Sequence, residues 1–120
     1  LDGGMQALEE RPDLLDRTER ITARTLAEQL SSADPPAVVD VRQRAEWVAG
    51  HIEGSINIPL GELAGRVSEL PDRAFALHCL AAYRSSIAAG ILQNAGVTRF
   101  TELIGGIEAW EASKLPTVTG

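Results

Sequence analysis

Ala74-Phe75-Ala76-Leu77-His78-Cys79-Leu80-Ala81-Ala82-Tyr83-Arg84-Ser85-Ser86 is the stretch that decides the fold. Its opening residues, Ala74 to His78, form a short apolar run of the kind shown by a strand buried on both faces. A thiol and a loop of small residues follow. From Ser85 to Asn94 the pattern turns helical, with Ile87, Ala88, Ile91, Leu92 and Ala95 predicted on one face and Gly96 ending the segment. In open parallel sheets, ligands sit beyond the carboxyl ends of the strands. Cys79 falls at such an end.

Outward from this unit, strands and helices keep alternating. Thr22 can cap a helix running through Leu26, Ala27 and Leu30, which Asp34-Pro35-Pro36 stops. Ala37 to Val41 reads as a buried strand, and Ala45 to Ala49 as a short helix closed by Gly50. Ser55 to Ile58 reads as a second strand, ended by Pro59. Leu60, Leu63, Val67 and Leu70 recur at helical spacing up to Pro71-Asp72. Downstream, Arg99 to Ile104 is a last strand, and Gly105-Gly106 opens a helix through Ile107, Ala109 and Trp110. Such alternation predicts an α/β fold with a parallel sheet and helices on both faces.

The 120 residues suit one domain, here residues 20–120, with an aliphatic core. A net charge of −6 without any Lys/Arg block argues against nucleic acid or an anionic membrane as partner. No apolar stretch approaches the roughly 20 residues of a transmembrane helix. A single cysteine excludes an intramolecular disulfide, and His51 and His78 are too few for a multi-ligand structural zinc site. Leu1-Asp2-Gly3-Gly4 lacks the marks of a signal peptide, so a reducing, cytoplasmic setting is expected. Leu1 to Leu8 also echoes Leu103 to Trp110, both reading Leu-x-Gly-Gly-(apolar)-x-Ala-(apolar). With the charged residues that follow, positions 1–19 are expected to be a linker or the tail of an adjoining upstream domain.

A lone cysteine is usually an inert buried hydrophobe. The context of Cys79 argues otherwise. A loop curling round the sulfur would aim successive backbone N–H groups inward as an anion nest, and the next helix would add its positive dipole end. Both favour thiolate over thiol. Arg84 would add a fixed charge and a bidentate fork for an oxyanion.

The spacing Cys79-x-x-x-x-Arg84 with Ser85 resembles the active loop of the rhodanese homology domain. Val39-Asp40-Val41-Arg42, Glu46-Trp47 and Gly50-His51-Ile52-Glu53-Gly54-Ser55-Ile56-Asn57-Ile58-Pro59 resemble that family's first signature. Leu103 to Trp110 followed by Leu115-Pro116 resembles its C-terminal one. The resemblance covers roughly residues 21–118 and implies a three-layer α/β/α fold around a parallel sheet of about five strands. It also implies a sulfurtransferase that needs no cofactor. Cys79 would take sulfane sulfur from thiosulfate or a persulfide and pass it to a thiol or cyanide. Cys79 and Arg84 would be catalytic, and Leu80, Ala81, Ala82, Tyr83 and Ser85 would line the substrate. Asp40, Arg42 and Trp47 would support the rim, with an Asp40–Arg42 ion pair as their plainer reading.

Related cell-cycle phosphatases resemble the same fold with one more loop residue, so the four residues between Cys79 and Arg84 favour sulfur over phosphate. Arsenate reduction occurs on the fold as well. The sequence departs from the family at Ala82, where Gly is frequent, and in the lack of basic loop residues. That lack favours a glutathione or protein persulfide as donor. His78 should point away from Cys79, since neighbours on a strand face opposite sides. His51 should order the turn at residues 50–54. The competing readings are a partner-binding module without catalysis, or an accessory domain of a metallo-β-lactamase-fold hydrolase or persulfide dioxygenase.

Overall fold

Five parallel strands in the order β1-β5-β4-β2-β3 form the sheet. They are β1 (Glu19–Ile21), β2 (Ala37–Asp40), β3 (Ile56–Asn57), β4 (Phe75–His78) and β5 (Phe100–Leu103). The helices are α1 (Ala23–Leu30), α2 (Arg44–Ala49), α3 (Leu60–Leu63), α4 (Tyr83–Asn94) and α5 (Gly106–Ala112). This computed structural model describes residues 19–80 and 83–120, the side chains of 83–85 excepted.

Alternation along the strands sorts two cores, one on each side of the sheet. Val39, Leu77, Phe100 and Cys79 pack with Leu63 of α3 and with Ala88, Ala89 and Leu92 of α4. Val38, Ala76 and Leu103 pack with Ala23 and Leu26 of α1 and with Ile107 and Trp110 of α5. The three-layer α/β/α arrangement follows. Thr22 caps α1 by accepting the Thr25 N–H at 3.2 Å, and the segment leaves the helix before Pro35-Pro36.

Four expectations change in detail. β1 is an additional strand: Glu19, Arg20 and Ile21 pair with Thr101, Glu102 and Leu103. The segment from Leu60 to Leu70 is not one helix. α3 gives way to 3-10 turns over Ala64–Glu69, with non-helical geometry at Arg66, whose guanidinium reaches Glu62 at 2.7 Å and Glu69 at 2.8 Å. Gly61 and Gly65 weaken helix continuity there. β3 keeps only Ile56 and Asn57, because Ser55 N–H turns back onto Ile52 O and Pro59 has no N–H to give. On α4 the buried face is Ala88, Ala89 and Leu92, while Ile87 is 40% exposed and Ala95 lies beyond the helix end.

The chain order makes β2 connect outward to β3 and β4 connect the other way to β5. The sheet therefore reverses its winding between β2 and β4. Crevices at such switch points, at the carboxyl ends of the strands, are where α/β sheets bind ligands.

Candidate active site

Cys79 is the residue immediately after β4, at that switch point, and only 1% exposed. Its side chain joins the α4-side core. Leu80 follows, 40% exposed. Ala81 and Ala82 lie outside the described residues. Tyr83, Arg84 and Ser85 form the first turn of α4, two residues earlier than the helix start read from the sequence. The backbone thus sets Arg84 at a helix N-terminus that follows directly on the cysteine loop.

Two amides of α5 hold the start of the loop. Ile107 N–H donates to Cys79 O at 2.9 Å, and Glu108 N–H donates to Leu80 O at 3.0 Å. These donors lie in the first turn of α5, where helical N–H groups lack intrahelical partners. Gly105 makes their approach possible. It caps α5 in a left-handed conformation, φ 76°, and a Cβ there would come within 2.7 Å of Ala109 Cβ.

Asp40 and Arg42 pair with each other. Arg42 Nε donates to Asp40 Oδ1 and Oδ2 at 3.1 and 3.0 Å, and a terminal nitrogen donates to Oδ2 at 2.8 Å. The same nitrogen reaches Gly50 O at 2.7 Å, and Asp40 Oδ1 also accepts the Arg42 N–H. Both residues are buried. Asn57, part of the Gly50–Pro59 motif but given no role of its own from the sequence, donates to the carbonyls of both residues. Asp40 shares the strand face of Val38, so the pair lies on the α1/α5 side of the sheet, across from the Cys79 side chain. Trp47 stacks on His51 with ring centroids 3.7 Å apart, and its Nε1 donates to Ser55 Oγ. His51 Nδ1 meets Trp47 O at 2.7 Å, and its backbone pairs with Val118, which ties the turn at 50–54 to the chain's last residues.

His78 lies on the face of Asp40, not of Cys79. It is fully buried, with Nδ1 at 3.0 Å from Cys79 O and Nε2 at 3.6 Å from Asp40 Oδ2. A carbonyl oxygen can only accept, so Nδ1 carries the proton. Burial pushes the imidazole below its usual range, and the facing Asp40 carboxylate offsets this only in part. The ring is therefore neutral, and Nε2 is a buried atom without a hydrogen-bond partner. Glu102, on β5 beside Leu77, is buried as well, and burial pushes its carboxyl upward against the weaker pull of Arg20. Among the described residues no three His, Cys, Asp or Glu side chains gather as a metal-ligand set. None of the described helices is long and apolar enough to cross a membrane.

Residues 22–113 match the model of the rhodanese-like domain. The chain is 33% identical to a protein named sulfurtransferase from Allochromatium vinosum, over 82% of this chain and 92% of that one. It is 38% identical to an uncharacterised protein of Synechocystis over 82% of this chain, but spans only 55% of that relative's length, and no more than half of some others. A rhodanese-related protein from Thermoplasma volcanium, known as a crystal structure, superposes with a TM-score of 0.77 at 32% identity, covering 85% of this chain and 99% of that one. The family match spans most of the chain, and Cys79 follows β4 where this fold's parallel sheet reverses: the chain belongs to the rhodanese-like domain family.

Proposed function

We propose that the protein transfers sulfane sulfur through a persulfide formed on Cys79. What carries this reading is the placement of one thiol at the sheet's switch point, with four residues between it and Arg84 at the start of α4. The name of the Allochromatium vinosum relative supports it.

The Cys79 thiolate attacks the outer sulfur of a persulfide or thiosulfate. The donor's S–S bond breaks, and the thiolate or sulfite leaves with the bonding pair, so Cys79 holds Cys–S–S⁻. A thiol or cyanide then attacks the outer sulfur, forms a new persulfide or thiocyanate, and releases the Cys79 thiolate. Loop amides and the dipole of α4 stabilise the anion at each stage. Arg84 binds the donor's anionic group. The exposed Leu80 and the uncharged Ala81, Ala82 and Tyr83 favour a glutathione or protein persulfide over thiosulfate as donor.

Intact mass after donor treatment tests the reading. One added sulfur is expected, discharged by cyanide and absent from Cys79→Ser. Full transfer by that variant overturns the assignment. A higher kcat/KM for thiosulfate than for glutathione persulfide overturns the donor preference alone.

A further inference from the structure

We propose that His78 is a positioning residue for the anion-holding loop: its Nδ1–H fixes the Cys79 carbonyl and thereby aims the Leu80 N–H at the Cys79 sulfur. The peptide joining Cys79 to Leu80 is planar and trans, so its C=O and N–H point in opposite directions. Two donors hold the carbonyl, His78 Nδ1 at 3.0 Å and Ile107 N at 2.9 Å. Both belong to the α1/α5 side of the sheet, where His78 pairs in register with Asp40 and where Ile107 packs. The Cys79 side chain belongs to the other side, under α4. With the carbonyl drawn to one side, the Leu80 N–H is directed to the other, where the sulfur is. Left to the Ile107 amide alone, the peptide could rotate and the first donor of the nest would drift.

The rest of the ring's surroundings suit this single task. Asp40 and Arg42 face it, and they neutralise each other through their own bidentate pair. Nε2 is 3.6 Å from Asp40 Oδ2, too long for a hydrogen bond, so the ring has one donor and one acceptor to use it. The ring's described polar contacts, to Cys79 O and toward Asp40, lie on the face away from the Cys79 side chain, so its proposed task is positioning.

The kinetic half of the test rests on the sulfur-transfer reading, and the chemical half does not. An Asn amide can place an N–H near the position of Nδ1, whereas a Gln amide reaches toward the position of Nε2. His78→Asn and His78→Gln are compared with wild type for the pH dependence of Cys79 alkylation by iodoacetamide, and for kcat and KM of sulfur transfer. His78→Gln is expected to move the alkylation profile to higher pH and to lower kcat about tenfold with KM little changed, below the loss typical for deleting a fixed oxyanion donor. His78→Asn is expected to recover most of both. Should His78→Gln fail to give a cooperative thermal melt, His78→Ser replaces it, since its hydroxyl is too short to reach the carbonyl in the same way. Equal profiles for folded Asn and Gln (or Ser) variants overturn the proposal. Absence of any turnover by wild type refutes sulfur transfer instead and leaves the alkylation comparison intact.

Discussion

Replacing Arg42 by Met would remove the guanidinium but keep most of the buried stem. Asp40 would remain fully buried, having lost three side-chain contacts between 2.8 and 3.1 Å and keeping the 2.9 Å bond from the Arg42 N–H. Gly50 O would lose its 2.7 Å donor as well. Breaking one side of a buried pair costs about 3–5 kcal/mol, because the remaining charge is stranded in a medium that solvates it poorly. At about 4 °C of melting temperature per kcal/mol for a domain of this size, the expected fall is roughly 12–20 °C. Removing both charges should cost far less than the sum of the single changes. The double variant Asp40→Leu with Arg42→Met is expected to recover at least about 2 kcal/mol in a double-mutant cycle. The assay is urea unfolding of wild type, both single variants and the double variant. As an exposed control, Arg66→Gln, which breaks the contacts to Glu62 and Glu69, should leave the midpoint nearly unchanged. If Arg42→Met behaves like Arg66→Gln, or if the single costs add in the double variant, the stranded-charge reasoning is wrong.

Two further outcomes follow from single positions. Gly105→Ala should lower stability by about 1–2 kcal/mol for the left-handed backbone alone, with more from the 2.7 Å approach to Ala109 Cβ. It should also depress sulfur transfer more than a remote variant of equal stability, because α5 carries the amides on Cys79 O and Leu80 O; matched activities at matched melting temperatures would refute that link. Glu102→Gln should become increasingly stabilising relative to wild type as pH rises. Burial raises the folded-state carboxyl above its unfolded value, so wild type loses stability as pH climbs from the unfolded pKa through the folded one, and Gln has no such loss. Thermal melts of both proteins at pH 5 and pH 8 check it, and a gap that stays constant or narrows toward pH 8 refutes it.

Much of the fold was legible because particular residues mark it. Thr22 and the pair Pro35-Pro36 bracket α1, and the apolar runs of β2 and β4 give the sheet's centre. β1 was not legible. Two of its three residues are exposed, and it is a strand only because β5 offers it a free edge. The broken helix after Leu60 was hidden for a related reason: apolar spacing records which residues face the core, not whether the backbone between them is α or 3-10. On α4 the apolar residues Ile87 and Ala95 fit the helical period, yet Ala89 took their place inside, since small residues seat a helix closely on a sheet. In the site, Cys79 was marked by its residue type. The amides of Ile107 and Glu108 were not, because a backbone donor leaves no trace in residue identity. His78 was read only for which way it points relative to the thiol, and the ring's grip on its neighbour's carbonyl needed coordinates. Asn57 showed as a polar residue in a strand, and its two carbonyl partners were equally out of view.

The bonds from Ile107 and Glu108 to the cysteine loop also bear on the order in which the protein becomes competent during synthesis. Cys79 and its strand leave the ribosome well before α5 does. Until the residues around Gly105 have emerged and turned back over the sheet, the carbonyls of Cys79 and Leu80 lack their amide partners. Under the proposed persulfide chemistry, sulfur loading would therefore wait for α5 to dock and complete these two bonds.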